Sequence, residues 1–219
     1  MHKFYFIFIT IFSSLWVAAQ PAVRNEPRHH LVFENEYIRI LDVYLPPKDT
    51  TQYHVHNTPS VFTTFTKTVT GSQLIGGQPV KTISVAGQTW YDSLVTTRIH
   101  RVWNEDSTWF HVMDIELTGG KPHSNEQLLQ DASIQLLFNQ PLANGYSLKL
   151  SAGSRISLPA SVTGYLLLSL NEIVVEYRIN DSLQKRLMKA GHYIWIEAGK
   201  SSIITVANNS SAFLLLQLK

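Results

Sequence analysis

The sequence predicts an all-β protein made of two similar barrels or sandwiches in tandem. Short runs rich in β-branched and aromatic residues follow one another along the chain, and Gly, Pro, Asn or Asp separate them. The second half repeats the order of runs and turns found in the first. A chain with this many short strands is typical of β-barrels and sandwiches.

The first residues are expected to lie outside the fold. After a short, weakly basic start, residues 4–19 form an apolar run shorter than the ~20 residues needed to cross a bilayer. Val17 and Ala19 are small residues at the −3 and −1 sites of a cut before Gln20, which is typical of a secretory signal. We expect a cleaved signal peptide over 1–19 and a secreted or periplasmic protein, with an uncleaved N-terminal anchor as the alternative.

The rest of the chain is predicted to form one barrel over 20–118 and a second over 132–219. A polar linker at 119–131, with a short helical run at 125–130, joins them. The strands expected in the first half are 52–56, 61–69, 72–75, 79–85, 88–91, 96–103 and 108–117, after two within 31–45. Those expected in the second half are 134–138, 146–150, 155–158, 163–170, 172–179, 183–188, 192–196, 202–206 and 211–218.

The two halves align with each other. At an offset of 105, residues 43–56 lie over 148–161, and at an offset of 104, residues 101–117 lie over 205–219. Identity is low, so any two strand-rich stretches could align this well. The shared order of run, turn and run nevertheless favours an internal duplication.

The apolar strands of the second half need cover on both faces. The runs 165–170 (YLLLSL) and 213–218 (FLLLQL) show little polar alternation. Strands of this kind are buried on both sides. Packing between the two barrels and packing between subunits would both satisfy them.

Composition narrows the chemistry. The chain has 16% charged residues, a net charge of +2, nine His and no Cys. Lack of Cys excludes disulfide scaffolds, Cys-ligated metals and Cys nucleophiles. The interspersed charges show no nucleic-acid footprint, and beyond the signal nothing indicates a membrane partner. Any metal must therefore be held by His and carboxylates.

The candidate metal site is a His-x-His pair. His54 and His56 share one face of a predicted strand, and Gln52 is expected to point the same way. His100, on the run 96–103, is the third candidate ligand. Three neutral imidazoles can hold one ion and leave positions open for water, substrate or dioxygen. The alternative is a surface His pair without a metal.

These motifs resemble those of the cupin superfamily, and the duplication resembles a bicupin. His54 and His56 match the His pair of the first motif, and Gly71 matches its closing Gly. His100 and Asn104 match the His-x-x-x-Asn of the second motif, although Asn104 has turn chemistry around it. The resemblance implies two jelly-roll barrels, a divalent ion (Fe, Zn, Mn or Ni), a small-molecule ligand and a homodimer.

The sequence also departs from the family pattern. The acidic ligand position falls on Ser60 or Val61, and the Pro-x-Gly positions are Val95 and Thr97. In the second half the three His positions become Pro159, Ser161 and Ile204. We therefore expect a three-His first barrel and a degenerate, metal-free second barrel.

Two further side chains are candidates for substrate binding. Arg98 should face inward with His100 and could meet a carboxylate or phosphate, although an ion pair with Asp92 or Glu105 is favoured. Gln52 could orient a bound water or the substrate, or serve only as a polar wall residue. Either role depends on the inward direction predicted for these strands.

The other His of the mature chain are assigned no metal. His111 is expected to be a hydrogen-bonded core residue, and His29 and His30 are expected outside the barrel. His123 and His192 show no partners at ligand spacing.

Two functions follow from different classes. The first is an exported metalloenzyme that oxygenates or isomerises a small anionic or chelating molecule. The second is a non-catalytic cupin module that binds a sugar or another small ligand. Metal content discriminates between them.

Overall fold

The computed structural model describes residues 19–119, 126–180, 182–207 and 209–219. The first half contains a single turn of 3-10 helix, η1 (Val23–Asn25), and the strands β1 (His29–Glu34), β2 (Ile38–Leu45), β3 (His54–His56), β4 (Ser60–Thr64), β5 (Thr68–Leu74), β6 (Val80–Ser84), β7 (Thr89–Asp92), β8 (Arg98–Asn104) and β9 (Phe110–Leu117). The second half contains β10 (Ile134–Asn139), β11 (Ala143–Leu150), β12 (Arg155–Leu158), β13 (Tyr165–Ser169), β14 (Ile173–Ile179), β15 (Ser182–Met188), β16 (Tyr193–Ile196), β17 (Ser202–Val206) and β18 (Ser211–Leu218). The prediction of an all-β protein is confirmed.

Each half folds into two antiparallel sheets. The first half has a five-stranded sheet in the order β1-β2-β9-β4-β7 and a four-stranded sheet in the order β3-β8-β5-β6. The second half has the orders β10-β11-β18-β13-β16 and β12-β17-β14-β15. These are the first-half orders with every strand number raised by nine. The predicted tandem arrangement of two jelly-roll barrels is therefore confirmed.

A β-bulge recurs at the same place in both halves. The register between β1 and β2 shifts between Leu31 and Phe33, and that between β10 and β11 shifts between Leu136 and Phe138. Each residue of the second bulge follows its counterpart by the predicted offset of 105. A bulge that is kept at one position in two copies supports the duplication.

The two copies diverge towards their last strands. Leu45 pairs with Phe110 in the first barrel, and Leu150 pairs with Ser211 in the second. Leu150 follows Leu45 by 105 positions, but Ser211 follows Phe110 by only 101. The predicted offset of 104 is therefore wrong for the final strand, because the connections that precede it are shorter in the second copy.

Apolar side chains fill the interior of the second barrel. Its core cluster includes Tyr146, Leu148, Leu167, Phe213 and Leu215, all essentially inaccessible to solvent. The first barrel has a smaller apolar cluster of Val43, Leu45, Phe62, Phe110 and Val112. The two copies of one fold therefore differ in how completely their interiors are packed.

A third apolar cluster joins the two barrels. Its buried members come from β2, β4, β9 and Phe65, which follows β4, on one side and from β11, β13 and β18 on the other. Leu166, Leu168, Leu214 and Leu216 belong to it, whereas Leu167 points into the second barrel. Inter-barrel packing thus supplies the second covered face that the Leu-rich runs require.

The described part of the linker is irregular. Residues 126–130 have no helix, so the helical run expected there is not observed, and residues 120–125 lie outside the described residues. The Glu126 carboxylate accepts hydrogen bonds from Ser161 Oγ, Val162 N–H and Gln217 Nε2. The linker is thereby anchored to the second barrel.

In the part of the chain that the structure describes, no helix is long and apolar enough to cross a membrane. All of the predicted signal segment except Ala19 lies outside the described residues. Its cleavage and the export that follows from it stay predictions.

Candidate metal centre

The first barrel encloses a cavity of about 410 Å³. Its walls combine apolar side chains with a few hydroxyl groups and with imidazoles gathered at one side. The lining includes Val43, Leu45, Phe62, Thr64, Thr70, Ser72, Ser84, Trp90, Val102, Phe110 and Val112, together with His29, His54, Arg98, His100 and Asp114. A concave, largely apolar site with a few convergent polar groups is typical of small-molecule binding.

The structure brings the three predicted His ligands together. His54 on β3 lies directly opposite His100 on β8, and His54 and His56 are buried. The ring centroids of His54 and His100 are 4.7 Å apart. The ring centroid of His56 lies 4.9 Å from each of these two. The alternation along β3 and the register with β8 therefore account for this part of the site.

A fourth imidazole, His29, joins the cluster. It begins β1, is 9% exposed, and its ring centroid lies 4.7 Å from that of His54. Ligand atoms of His29, His54 and His56 all lie within 4.8 Å of one another, in a group that does not include His100. The expectation that His29 lies outside the barrel is wrong, because the segment before β1 pairs with Val55 and carries His29 inward. His30, which points the other way, is exposed.

The ring nitrogens are arranged as a cation site would require. His54 Nδ1 donates to the Gln52 carbonyl at 2.8 Å, so the lone pair of the neutral ring is on Nε2. That atom lies 3.0 Å from His56 Nε2. Two nitrogens about 2.1 Å from one ion and at right angles around it would be about 3.0 Å apart. His100 Nε2 is buried and has no hydrogen-bond partner among the described residues. The residues present therefore fit a metal ion.

The environment keeps these imidazoles neutral. Burial, followed by the proximity of His29, lowers the pKa of His54 to about 4. Burial and then His54 lower the pKa of His100 to about 3. Burial, His100 and His54 lower the pKa of His56 even further. At neutral pH all three rings carry a free lone pair, which is the form that binds metals.

A buried carboxyl group stands beside the imidazoles. Asp114 on β9 lines the cavity, and its Oδ2 lies 3.5 Å from His56 Nδ1. Neither carboxyl oxygen has a hydrogen-bond partner among the described residues, and burial and then Glu116 raise the pKa of Asp114 to about 8. The family motif places its acidic ligand at Ser60 or Val61, and neither residue carries a carboxylate. The acid comes from the neighbouring strand instead, where Asp114 faces Phe62.

Arg98 faces the cavity, as predicted. Its guanidinium forms an ion pair with Asp92 and lies over the Phe62 ring, 5.7 Å from the centroid. Arg98 Nε is buried and has no partner in the described part of the chain. Glu105, the other partner considered, instead accepts a hydrogen bond from Trp103 Nε1 at 2.8 Å.

Gln52 does not share the direction of His54. Its side chain is exposed, and it is not among the residues that line the cavity. The reason is that β3 begins at His54, so the strand alternation does not extend back to Gln52. Its backbone contributes instead, with the N–H donating to Glu26 and the carbonyl accepting from His54.

Asn104 and Gly71 have structural roles. The Asn104 amide donates to the carbonyls of Leu45 and Thr108, and its Oδ1 accepts from the Asp106 N–H, so it closes a turn. Gly71 lies under the Trp103 indole, where an added Cβ would be only 2.0 Å from a ring atom. The family's Asn and Gly positions therefore shape the barrel around the site.

Of the remaining His, those that the structure describes lie away from the cluster. His111 Nε2 donates to Asp42 at 2.7 Å and its ring stacks on Tyr44, which confirms a hydrogen-bonded core residue. His192 is in the second half and is partly buried. His123 lies outside the described residues.

The equivalent face of the second barrel is apolar. Ile156 and Leu158 of β12 are buried in the core, and Ile156 pairs with Ile204 of β17. Pro159 and Ser161, aligned by sequence with the His pair, follow the end of β12. By register, Leu158 opposite Ser202 takes the place of His54 opposite His100, so the counterpart of His100 is Ser202 and not the predicted Ile204.

Comparisons with known proteins agree on the fold. No family model and no curated protein matches the chain. Among solved structures, AerE from Microcystis aeruginosa is similar with a TM-score of 0.61 and 11% identity over 89% of this chain and 98% of that one. A cupin 2 conserved barrel domain protein from Leptotrichia buccalis has a TM-score of 0.56 and 11% identity over 86% and 87%. A salicylate 1,2-dioxygenase from Pseudaminobacter salicylatoxidans has a TM-score of 0.59 and 9% identity over 83% and 71%. At these identities the likeness shows the fold alone, which is the cupin fold in its two-barrel form.

Proposed function

We propose that this chain is an exported cupin metalloenzyme that oxygenates or isomerises a small, apolar carboxylate. The observation that carries the proposal is the convergence of buried imidazoles on one side of a cavity in the first barrel. In the second barrel, which has the same strand order, Leu158 and Ser202 occupy the places of His54 and His100. Buried imidazoles without hydrogen-bond partners are costly unless they bind something.

His54, His56 and His100 would hold a divalent ion. Imidazole ligands suit Fe, Zn and Ni, and Mn accepts them together with oxygen ligands. A divalent ion in a site with open positions polarises a bound oxygen group as a Lewis acid or, as Fe(II), supports dioxygen chemistry. Asp114, whose pKa is raised by burial in the metal-free chain, would lie beside it as a proton donor or acceptor for a bound oxygen atom.

The cavity indicates the substrate class. Arg98 presents a cation to a space of about 410 Å³, a size suited to a small molecule. Phe62 and Trp90 stack on each other in the wall, with centroids 5.2 Å apart, and offer a flat apolar surface. A carboxylate would pair with Arg98 while the apolar part of the molecule packs on these rings. The salicylate 1,2-dioxygenase among the similar structures supports this reading.

A non-catalytic binding module is the second candidate function. Two observations favour it: β4 carries no carboxylate at the family's acidic position, and Arg98 already pairs with Asp92. A cupin shell of this kind would bind a sugar or another small ligand without a metal. The two functions therefore differ in their need for the ion.

Metal analysis separates the two functions. The mature chain, produced without a His tag, is measured by elemental mass spectrometry beside a variant with His54→Ala and His56→Ala. One ion per chain in the wild type, lost in the double variant, supports the metalloenzyme. A wild type that stays metal-free after exposure to Fe(II), Zn(II), Mn(II) and Ni(II) eliminates it. The exposed neighbour His30→Ala is the matched control and should bind as the wild type does.

We also propose export, with cleavage before Gln20, and assembly as a homodimer. Intact mass of the protein recovered outside the cytoplasm should correspond to a chain that begins at Gln20. A chain that keeps residues 1–19 would instead indicate an anchor. Sedimentation of the purified mature chain at micromolar concentration gives the oligomeric state.

A further inference from the structure

The segment before β1 is fixed on the outside of the metal cluster. We call residues 20–28 the N-terminal strap. The Pro21 carbonyl accepts from the Val55 N–H at 2.9 Å, and Ala22 forms a parallel bridge with Val55. Val23 is 2% exposed, and Arg28 forms an ion pair with Asp49. The strap therefore lies along β3, the strand that carries the His pair.

Glu26 is the polar centre of the strap. Although it is an acid, it is only 2% exposed. One carboxylate oxygen accepts from the Gln52 N–H at 3.1 Å, and the other accepts from the Arg28 N–H at 2.8 Å and from His29 Nδ1 at 2.6 Å. A buried carboxylate needs partners of this kind, and here they connect the strap, β1 and the approach to β3.

The contact with Glu26 fixes the direction of His29. Because Nδ1–H donates to a carboxylate, the lone pair of the neutral ring is on Nε2. A carboxylate that holds the far nitrogen of a ligating His is the usual way in which a protein orients such a ligand. His54 is oriented in the same way by the Gln52 carbonyl. Glu26 therefore orients His29 in the way that a carboxylate orients a metal-ligating His.

We infer that His29, held by Glu26, is a fourth protein ligand of the metal, and that the metal thereby stabilises the N-terminal strap against local opening. The inference rests on the proposed metal function. His29 would take the place of the acidic ligand that β4 lacks, so four imidazoles would surround the ion. In six-coordinate geometry two positions would stay open, enough for a substrate and a second small molecule.

The first test measures metal affinity in three single variants. Co(II) is titrated into the metal-free chain against a chelator, for wild type, His29→Ala, Glu26→Gln and the control His30→Ala. We expect the Glu26→Gln variant to bind about 10–100-fold more weakly, as is typical when the partner of a ligating His is removed. His29→Ala should lose at least as much, and His30→Ala should be unchanged. The visible spectrum of bound Co(II) should change in His29→Ala because one nitrogen ligand is lost.

The second test measures stabilisation of the strap by hydrogen exchange. With Zn(II) at about 100 times its Kd, exchange of strap amides in the wild type should slow by up to about 100-fold, because the metal stabilises the closed form. In His29→Ala the same addition should leave strap exchange unchanged. If His29→Ala fails to fold, Glu26→Gln, which keeps the shape of the side chain, carries both measurements.

The outcomes separate this inference from the proposed function. If the wild type binds no metal, the proposed function fails and the inference fails with it. If the wild type binds one ion that His54→Ala abolishes, while His29→Ala and Glu26→Gln keep wild-type affinity, the proposed function stands and the inference is overturned. Strap exchange that does not respond to metal in the wild type overturns the stabilisation of the strap by the metal.

Discussion

At the scale of single residues, the site depends on where each imidazole directs its lone pair. His54 is oriented by a backbone carbonyl and His29 by a carboxylate, and both contacts are made by Nδ1. The Nε2 atoms are thereby left for the cavity side, where His56 and His100 also present nitrogens without strong partners. The hydrogen bonds of His29 and His54 thus select, for these two rings, the tautomer that a metal needs.

Replacing Arg98 with Met should weaken the binding of small carboxylates. A hydrogen-bonded ion pair with a partly buried guanidinium contributes about 1.5–3 kcal/mol, so benzoate should bind roughly 10–150-fold more weakly. Benzamide, which has the same ring and no charge, should be affected little. Isothermal titration with both probes checks this. Equal losses for benzoate and benzamide would show that Arg98 acts on cavity shape rather than on charge.

The metal-free protein should lose stability in acid because of the buried His. The pKa of His54 falls from 6.5 in the unfolded chain to about 4 in the folded one, so the unfolded chain takes up a proton first as pH falls. Its contribution is present above pH 6.5 and is lost between pH 6.5 and about 4, on the order of 3 kcal/mol. Urea unfolding of wild type and His54→Gln at several pH values tests this. A parallel pH dependence of the two proteins would contradict it.

At the scale of elements, the packing of β5 against β8 shapes the wall of the site. Gly71→Ala places a methyl group against the Trp103 indole, which must move. We expect a loss of about 1–3 kcal/mol in the free energy of unfolding, as for other overpacked sites. In a Trp103→Ala background the same change should cost much less. A cost that is equal in both backgrounds would show that backbone conformation, not the indole, requires the Gly.

The strands were largely predictable, and so were three of the four imidazoles of the cluster. The alternation of His54 and His56 is local, and β12, β17 and β18 have the predicted bounds. The role of His29 was not predictable, since it depends on a parallel bridge between the strap and β3.

The sequence contains an indication of the role of Asp114. On β9 it lies on the same face as Phe110 and Val112, whereas Met113 and Ile115 face the second barrel. Such a carboxyl group within a buried strand indicates a site, although the strand alone does not say which cavity it faces.

At the scale of the whole molecule, the second barrel acts as a packed support for the first. The inter-barrel cluster unites strands of both copies, and Leu166, Leu168, Leu214 and Leu216 contribute its second-barrel side. The interior of the second barrel is therefore an apolar core, whereas the interior of the first barrel contains a cavity with polar groups. The sequence predicted this division from the loss of His in the second half, but not which surface the Leu-rich strands would cover.

Leu216→Ala should destabilise the two barrels together. Leu216 is fully buried in the inter-barrel cluster, so its truncation leaves a cavity that costs about 2–5 kcal/mol. The exposed Leu187 on the edge strand β15 is the matched control, and Leu187→Ala should cost little. Thermal unfolding should show one transition shifted down for Leu216→Ala. Two separate transitions, with only one shifted, would mean that the barrels unfold independently.

The central claim is that imidazoles of the first barrel hold one metal ion. Anomalous diffraction from crystals of the untagged mature chain grown with Co(II) tests it most directly. We predict one strong peak inside the first barrel, about 2.1 Å from the Nε2 atoms of His54 and His56 and within reach of His29 and His100. A cavity without a peak, or a peak only at surface His such as His30, would contradict the account.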